Sequence, residues 1–130
     1  VHALLGQVYV QKSLFDAAIE EFQKAIDLSG GSREYLAELG HAYALAGKIE
    51  EAYKILEELQ KLSKQTYADP CDIAMVYVGL GEIDGAFQWL EKAYAERSYS
   101  LSYLRVEPRF DRIRSDPRYK ELLKKIGLYR

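Results

Sequence analysis

The chain of 130 residues holds one cysteine, one methionine, one tryptophan and three prolines. A lone cysteine, Cys71, excludes an intramolecular disulfide and fits a reducing compartment. The two histidines, His2 and His41, share no CxxC or HxxxH spacing with it, so no metal-ligand set is recognisable. No apolar run approaches the roughly 18 residues of a membrane span, and no secretory leader is visible. The single GxG, residues 79–81, ends a helical pattern and follows no strand. A phosphate loop needs strand, glycine loop and helix in that order, so this one reads as a helix stop. The glutamate pairs at 20–21, 50–51 and 57–58 fall on solvated helix faces, where they serve solubility. No catalytic residue, metal or cofactor is expected from this inventory.

What the chain does have is repetition. Residues 40–59, GHAYALAGKIEEAYKILEEL, have an upstream copy at 6–25 and a downstream copy at 74–93, at a spacing of 34 residues. Gly6, Gly40 and Ala74 align, as do Tyr9, Tyr43 and Tyr77. Ala18, Ala52 and Ala86 align next, then Phe22, Leu56 and Leu90, then Ala25, Leu59 and Ala93. Each copy reads as two amphipathic helices, with apolar residues recurring at three and four. The first helices are expected over 1–11, 33–46 and 70–80, and the second over 14–28, 49–62 and 83–96. Ser32 and Asp69 are suited to capping, Pro70 to a first helical position, and Gly30, Gly47 and Gly81 to helix ends. Ser13 stands where the other copies carry glycine. The small residues are expected to let paired helices approach closely, Gly6 facing Ala18, Gly40 facing Ala52 and Ala74 facing Ala86.

A 34-residue period with these residues resembles the tetratricopeptide repeat family. The resemblance implies an all-α solenoid of three helix–turn–helix repeats in a right-handed superhelix, at about 1–31, 32–65 and 66–97. It also implies a capping helical segment at 98–130. The period breaks after Glu96, where Pro108 and Lys120 occupy positions that should be small. Short helices are expected over 98–106, near 107–113 and over 115–126, and a solenoid end needs such an atypical cap. Residues 67–128 are similar to the ends of repeat arrays in bacterial and archaeal multidomain regulators. That implies a cytoplasmic module of a prokaryotic protein. The chain opens at Val1 inside the first repeat, and is expected to be a piece of something longer.

The function implied is protein–protein interaction, not catalysis. In this family the first helices line a concave groove. Carried over residue by residue, the groove set is Gln7 and Gln11 from repeat one; Glu34, Ala37, Glu38, His41 and Leu45 from repeat two; and Cys71, Asp72 and Met75 from repeat three. This surface is small, apolar and mildly acidic, and suits a peptide or partner domain with apolar anchors. One subclass of the family clamps a C-terminal carboxylate with cationic side chains. The matching positions here, Ala3, Gln7, Glu38, Ala68 and Asp72, hold no cation, so that ligand is not expected. His41 and Cys71 fall on adjacent first helices and read as groove residues in preference to a nucleophile pair. Charge is uneven: residues 1–104 carry nine basic and sixteen acidic side chains, and residues 105–130 carry nine and four. The basic tail suggests two alternatives. One is a self-associating regulatory module, with the tail docking on the acidic body of a second copy. The other is an anionic partner, although no stacking aromatics accompany the cations and nucleic acid is not favoured.

Overall fold

The computed structural model describes residues 2–65, 69–96 and 108–125. The described residues form α1 (His2–Gln11), α2 (Phe15–Ser29), α3 (Arg33–Leu45), α4 (Ile49–Gln65), α5 (Pro70–Leu80) and α6 (Ile83–Ala95). A 3₁₀ helix (Pro108–Ile113) and α7 (Pro117–Lys125) follow. The helices pair in sequence order, α1 with α2, α3 with α4 and α5 with α6, and the pairs stack through α2 on α3 and α4 on α5. The fold is the all-α solenoid that the period implied. Residues 97–107, with the helix expected over 98–106, lie outside the described residues.

Local chemistry sets the helix ends. Ser32 Oγ accepts from the Tyr35 amide at 3.4 Å, and Asp69 Oδ1 from the Cys71 amide at 3.0 Å, each satisfying one of the donors a helix start leaves over. One turn is built three times at the 34-residue spacing. Leu14, Lys48 and Glu82 donate their amides to Tyr9, Tyr43 and Tyr77 carbonyls at 2.8, 2.9 and 3.0 Å. The residue before each donor is left-handed: Ser13 at φ 62, Gly47 at φ 82 and Gly81 at φ 77. Serine therefore adopts the glycine conformation in repeat one instead of changing the turn, and bears a strain of about 1–2 kcal/mol for its Cβ.

The small residues do bring helices together, but against other neighbours than the spacing suggested. A Cβ on Gly6 would lie 2.7 Å from the Phe22 ring, and one on Gly40 would lie 2.8 Å from Ile55 Cγ2 and 3.2 Å from Val76 Cγ2. The alanines at 18, 52 and 86 are fully buried, yet the ring or branch one turn further along the second helix fills the gap over the glycine. A side chain turns back along its helix axis, so register alone misplaces the contact. The largest fully buried side chains are Phe22, Leu59, Ile73, Leu90, Ile113 and Leu122. Tyr43 and Tyr77 reach out of their pairs, their hydroxyls accepting from Gln23 and Gln60 of the preceding second helix at 3.0 and 3.1 Å.

The tail keeps the period in space after losing it in sequence. Arg112 lies 34 residues after Val78 and donates to its carbonyl; Arg118 lies 34 after Asp84, and Lys125 lies 34 after Glu91, each ion-paired across that interval. The 3₁₀ helix packs on α5, and α7 reaches α6 through the pairs Arg118–Asp84 and Lys125–Glu91. Phe110, Ile113, Tyr119, Leu122 and Leu123 are buried, as expected of a cap, while Lys120 and Lys124 face water. Leu101, Leu104 and Ile126 lie outside the described residues.

Candidate partner-binding face

The first helices differ in how closely they approach. α3 lies directly on α5, because Gly79 offers no side chain there: a Cβ on it would be 2.9 Å from His41 Cδ2 and 3.2 Å from the His41 carbonyl oxygen. α1 is tied to α3 by Gln7 Nε2, which donates to Glu38 Oε1 at 2.6 Å. These contacts sort the sequence-derived set into two layers. Ala37, Glu38, His41, Cys71 and Met75 are buried. Gln7, Leu45 and Asp72 are half-buried, and Gln11 and Glu34 are exposed. Five of the ten expected groove residues are thus buried in packing, and the other five reach the surface.

Glu38 and His41 are the buried polar and charged side chains among the described residues. They lie three residues apart on one face of α3, next to the bond from Gln7 and the backbone of Gly79. Placing a carboxylate there demands hydrogen-bond compensation, which Gln7 supplies in part. A polar floor of this kind fixes side-chain orientation more strictly than an apolar one.

The role of Arg112 was not legible from its position in a run of tail cations. Its Nη1 donates to the carbonyl oxygens of Val78 at 3.4 Å and Gly79 at 3.2 Å. Those carbonyls belong to the last turn of α5, where the helix leaves acceptors over and a cation is favoured. Gly79 is thus pressed by His41 through one side and bonded by Arg112 at its carbonyl.

Three further tail cations also pair with carboxylates of the chain. Arg118 pairs with Asp84 at 2.8 Å and Asp116 at 2.9 Å, and its guanidinium lies 4.7 Å from the Phe87 ring centre. Lys125 pairs with Glu91 at 3.0 Å and sits 5.8 Å from the Tyr94 ring, and Arg114 pairs with Asp111 at 2.8 Å. The bond from Arg118 holds the Asp116 carboxyl below its ordinary value, and the two carboxylates hold the Arg118 guanidinium more firmly charged. Two tail cations, Arg118 and Lys125, thus pair with acids of α6 in their own chain. An open cleft of about 560 Å³ remains between α6 and α7, lined by Asp84, Phe87, Gln88, Glu91 and Arg118. Among the described residues no three His, Cys, Asp or Glu side chains gather as metal ligands, and no helix is long and apolar enough to cross a membrane.

Comparison with known proteins agrees with this architecture. The tetratricopeptide repeat model matches residues 1–31 and 34–66. A protein named CTR9 homolog from Arabidopsis thaliana is 34% identical over 79 residues, which is 61% of this chain and 7% of that protein. The chain thus spans a small fraction of the length of this relative. No solved structure matches. The tetratricopeptide repeat model thus covers just under half of the chain, and the described residues fold as an all-α solenoid of helix pairs like the one that repeat builds.

Proposed function

We propose that the chain is a non-catalytic interaction module that holds a peptide or partner domain against the face formed by α1, α3 and α5. Proteins of this repeat family generally bind other proteins. The observation that carries the reading here is the two-layer face. A packed floor of Ala37, Glu38, His41, Cys71 and Met75 fixes a rim of Gln7, Gln11, Glu34, Leu45 and Asp72 in place before any partner arrives. A preformed surface spares the ordering cost of binding. Its acidic and apolar rim suits a segment with an apolar anchor and a basic residue. A cytoplasmic setting within a larger regulatory protein of prokaryotic type belongs to the same proposal.

Fluorescence anisotropy with a labelled peptide library of that composition tests it. Glu34→Lys with Asp72→Lys should weaken the best peptides at least tenfold. The control Glu57→Lys with Glu58→Lys, on the exposed side of α4, should leave them unchanged. Equal loss in both variants would show that net charge, not this face, governs binding. Self-association is the second reading, suggested by the opposed charges of residues 1–104 and 105–130, and light scattering on the intact chain separates the two.

A further inference from the structure

We propose that the outer face of α1 seats a further helix pair of the same repeat type, stacked before it as α1 and α2 are stacked before α3. The evidence is the contrast between equivalent positions. Leu5 is 40% exposed, while its counterparts Leu39 and Ile73 are 6% and 0% exposed. Val8 is 48% exposed, while Ala42 and Val76 are both at 0%. Leu4 adds a third exposed apolar side chain to the same face. The internal copies are covered by the pair before them, through α2 on α3 and through α3 and α4 on α5. The first copy carries apolar residues at the Leu5 and Val8 positions too, and among the described residues nothing covers them.

The shape of the face selects the occupant. Val76, the counterpart of Val8, sits over Gly40, with its Cγ2 3.2 Å from where a Cβ would stand. Val8 accordingly requires a small residue opposite it, at the place Gly6 and Gly40 hold in their own repeats. A preceding pair of the same type supplies that residue and continues an interface the chain already makes. A second copy meeting this face head-on would present Leu4, Leu5 and Val8 in return, large side chains against large. Covering these side chains removes apolar surface from water, which favours the stacked arrangement.

The test compares the natural chain with one carrying a copy of residues 35–68 directly before Val1, which keeps the 34-residue register. Each is made with Val8 and as Val8→Ser, a change mild enough to leave both folded, with Val8→Glu as the stronger form. The extended chain is expected to melt in one transition at a higher temperature than the natural chain, and to bind less of an apolar naphthalene-sulfonate dye. Val8→Ser should cost several times more melting temperature in the extended chain than in the natural one. Two separate transitions with unchanged dye binding, or an equal effect of Val8→Ser in both chains, would overturn the proposal. A natural chain that dimerises by light scattering, and becomes monomeric as Val8→Ser, would assign the face to a second copy instead.

Discussion

Arg118 donates to Asp84 across 2.8 Å, and one repeat period of 34 residues separates them. This exposed pair joins α7 to α6 beside the buried side chains of Ile113, Tyr119 and Leu122 in the same tail. Asp84 is largely exposed and Arg118 about half, so this pairing sits in water and is screened by salt. Arg118→Ala should give a small drop in melting temperature at low ionic strength that shrinks in about 1 M salt, where the screening length falls to roughly 3 Å. Arg118→Glu should give a larger drop, since Asp84 and Asp116 would then face a like charge. A thermal melt at two salt concentrations checks both.

Ser13 bears a left-handed backbone that its two counterparts meet with glycine. Ser13→Gly should stabilise the chain by about 0.5–1 kcal/mol, the relief of Cβ strain less the added flexibility of glycine in the unfolded state. Gly47→Ser should cost a similar amount. Urea unfolding of the two variants measures the pair, and a destabilised Ser13→Gly would mean the serine side chain contributes more than its backbone costs.

Gly79 lies where α3 and α5 touch, with His41 at less than ordinary contact distance from any added Cβ. Gly79→Val should cost about 1–3 kcal/mol through overpacking. The strain falls on the floor of the proposed binding face, so peptide affinity should drop with it. Denaturation and anisotropy on the same sample show whether the two losses travel together.

His2 Nδ1 and Glu21 Oε2 are 2.6 Å apart, tying the start of α1 to α2. The bond from His2 holds the Glu21 carboxyl below its ordinary value of 4.5 despite the opposing effect of desolvation. A carboxyl lowered in the folded state stabilises above its unfolded value, and that contribution is lost as pH falls through the folded value. Acid unfolding between about pH 5 and pH 3 should therefore be steeper for the natural chain than for His2→Ala. Melting temperatures across that window provide the comparison.

Much of the fold was legible because a repeat states its rules several times. Five aligned positions at one spacing established the helix pairs, the glycine turns and the caps at Ser32 and Asp69 before any contact was known. The candidate face was legible only as a set of positions. His41 and Met75 read as groove residues by register, but side chains lean toward the helix start, so their burial depended on how closely α3 and α5 approach. That distance is set by Gly79, whose part in the close approach register alone does not state.

The sequence by itself determined the local structure: which residues turn, which cap, and which stripe of each helix is apolar. These follow from interactions within about four residues, repeated at a fixed period. The tertiary structure alone decided that Arg112, Arg118 and Lys125 continue that period by pairing with groups 34 residues earlier. It alone decided that Phe22 covers Gly6, and that Leu5 and Val8 lie open where Ile73 and Val76 are closed. Those outcomes depend on which surfaces meet, and a helix sequence specifies its own apolar stripe without specifying what lies against it.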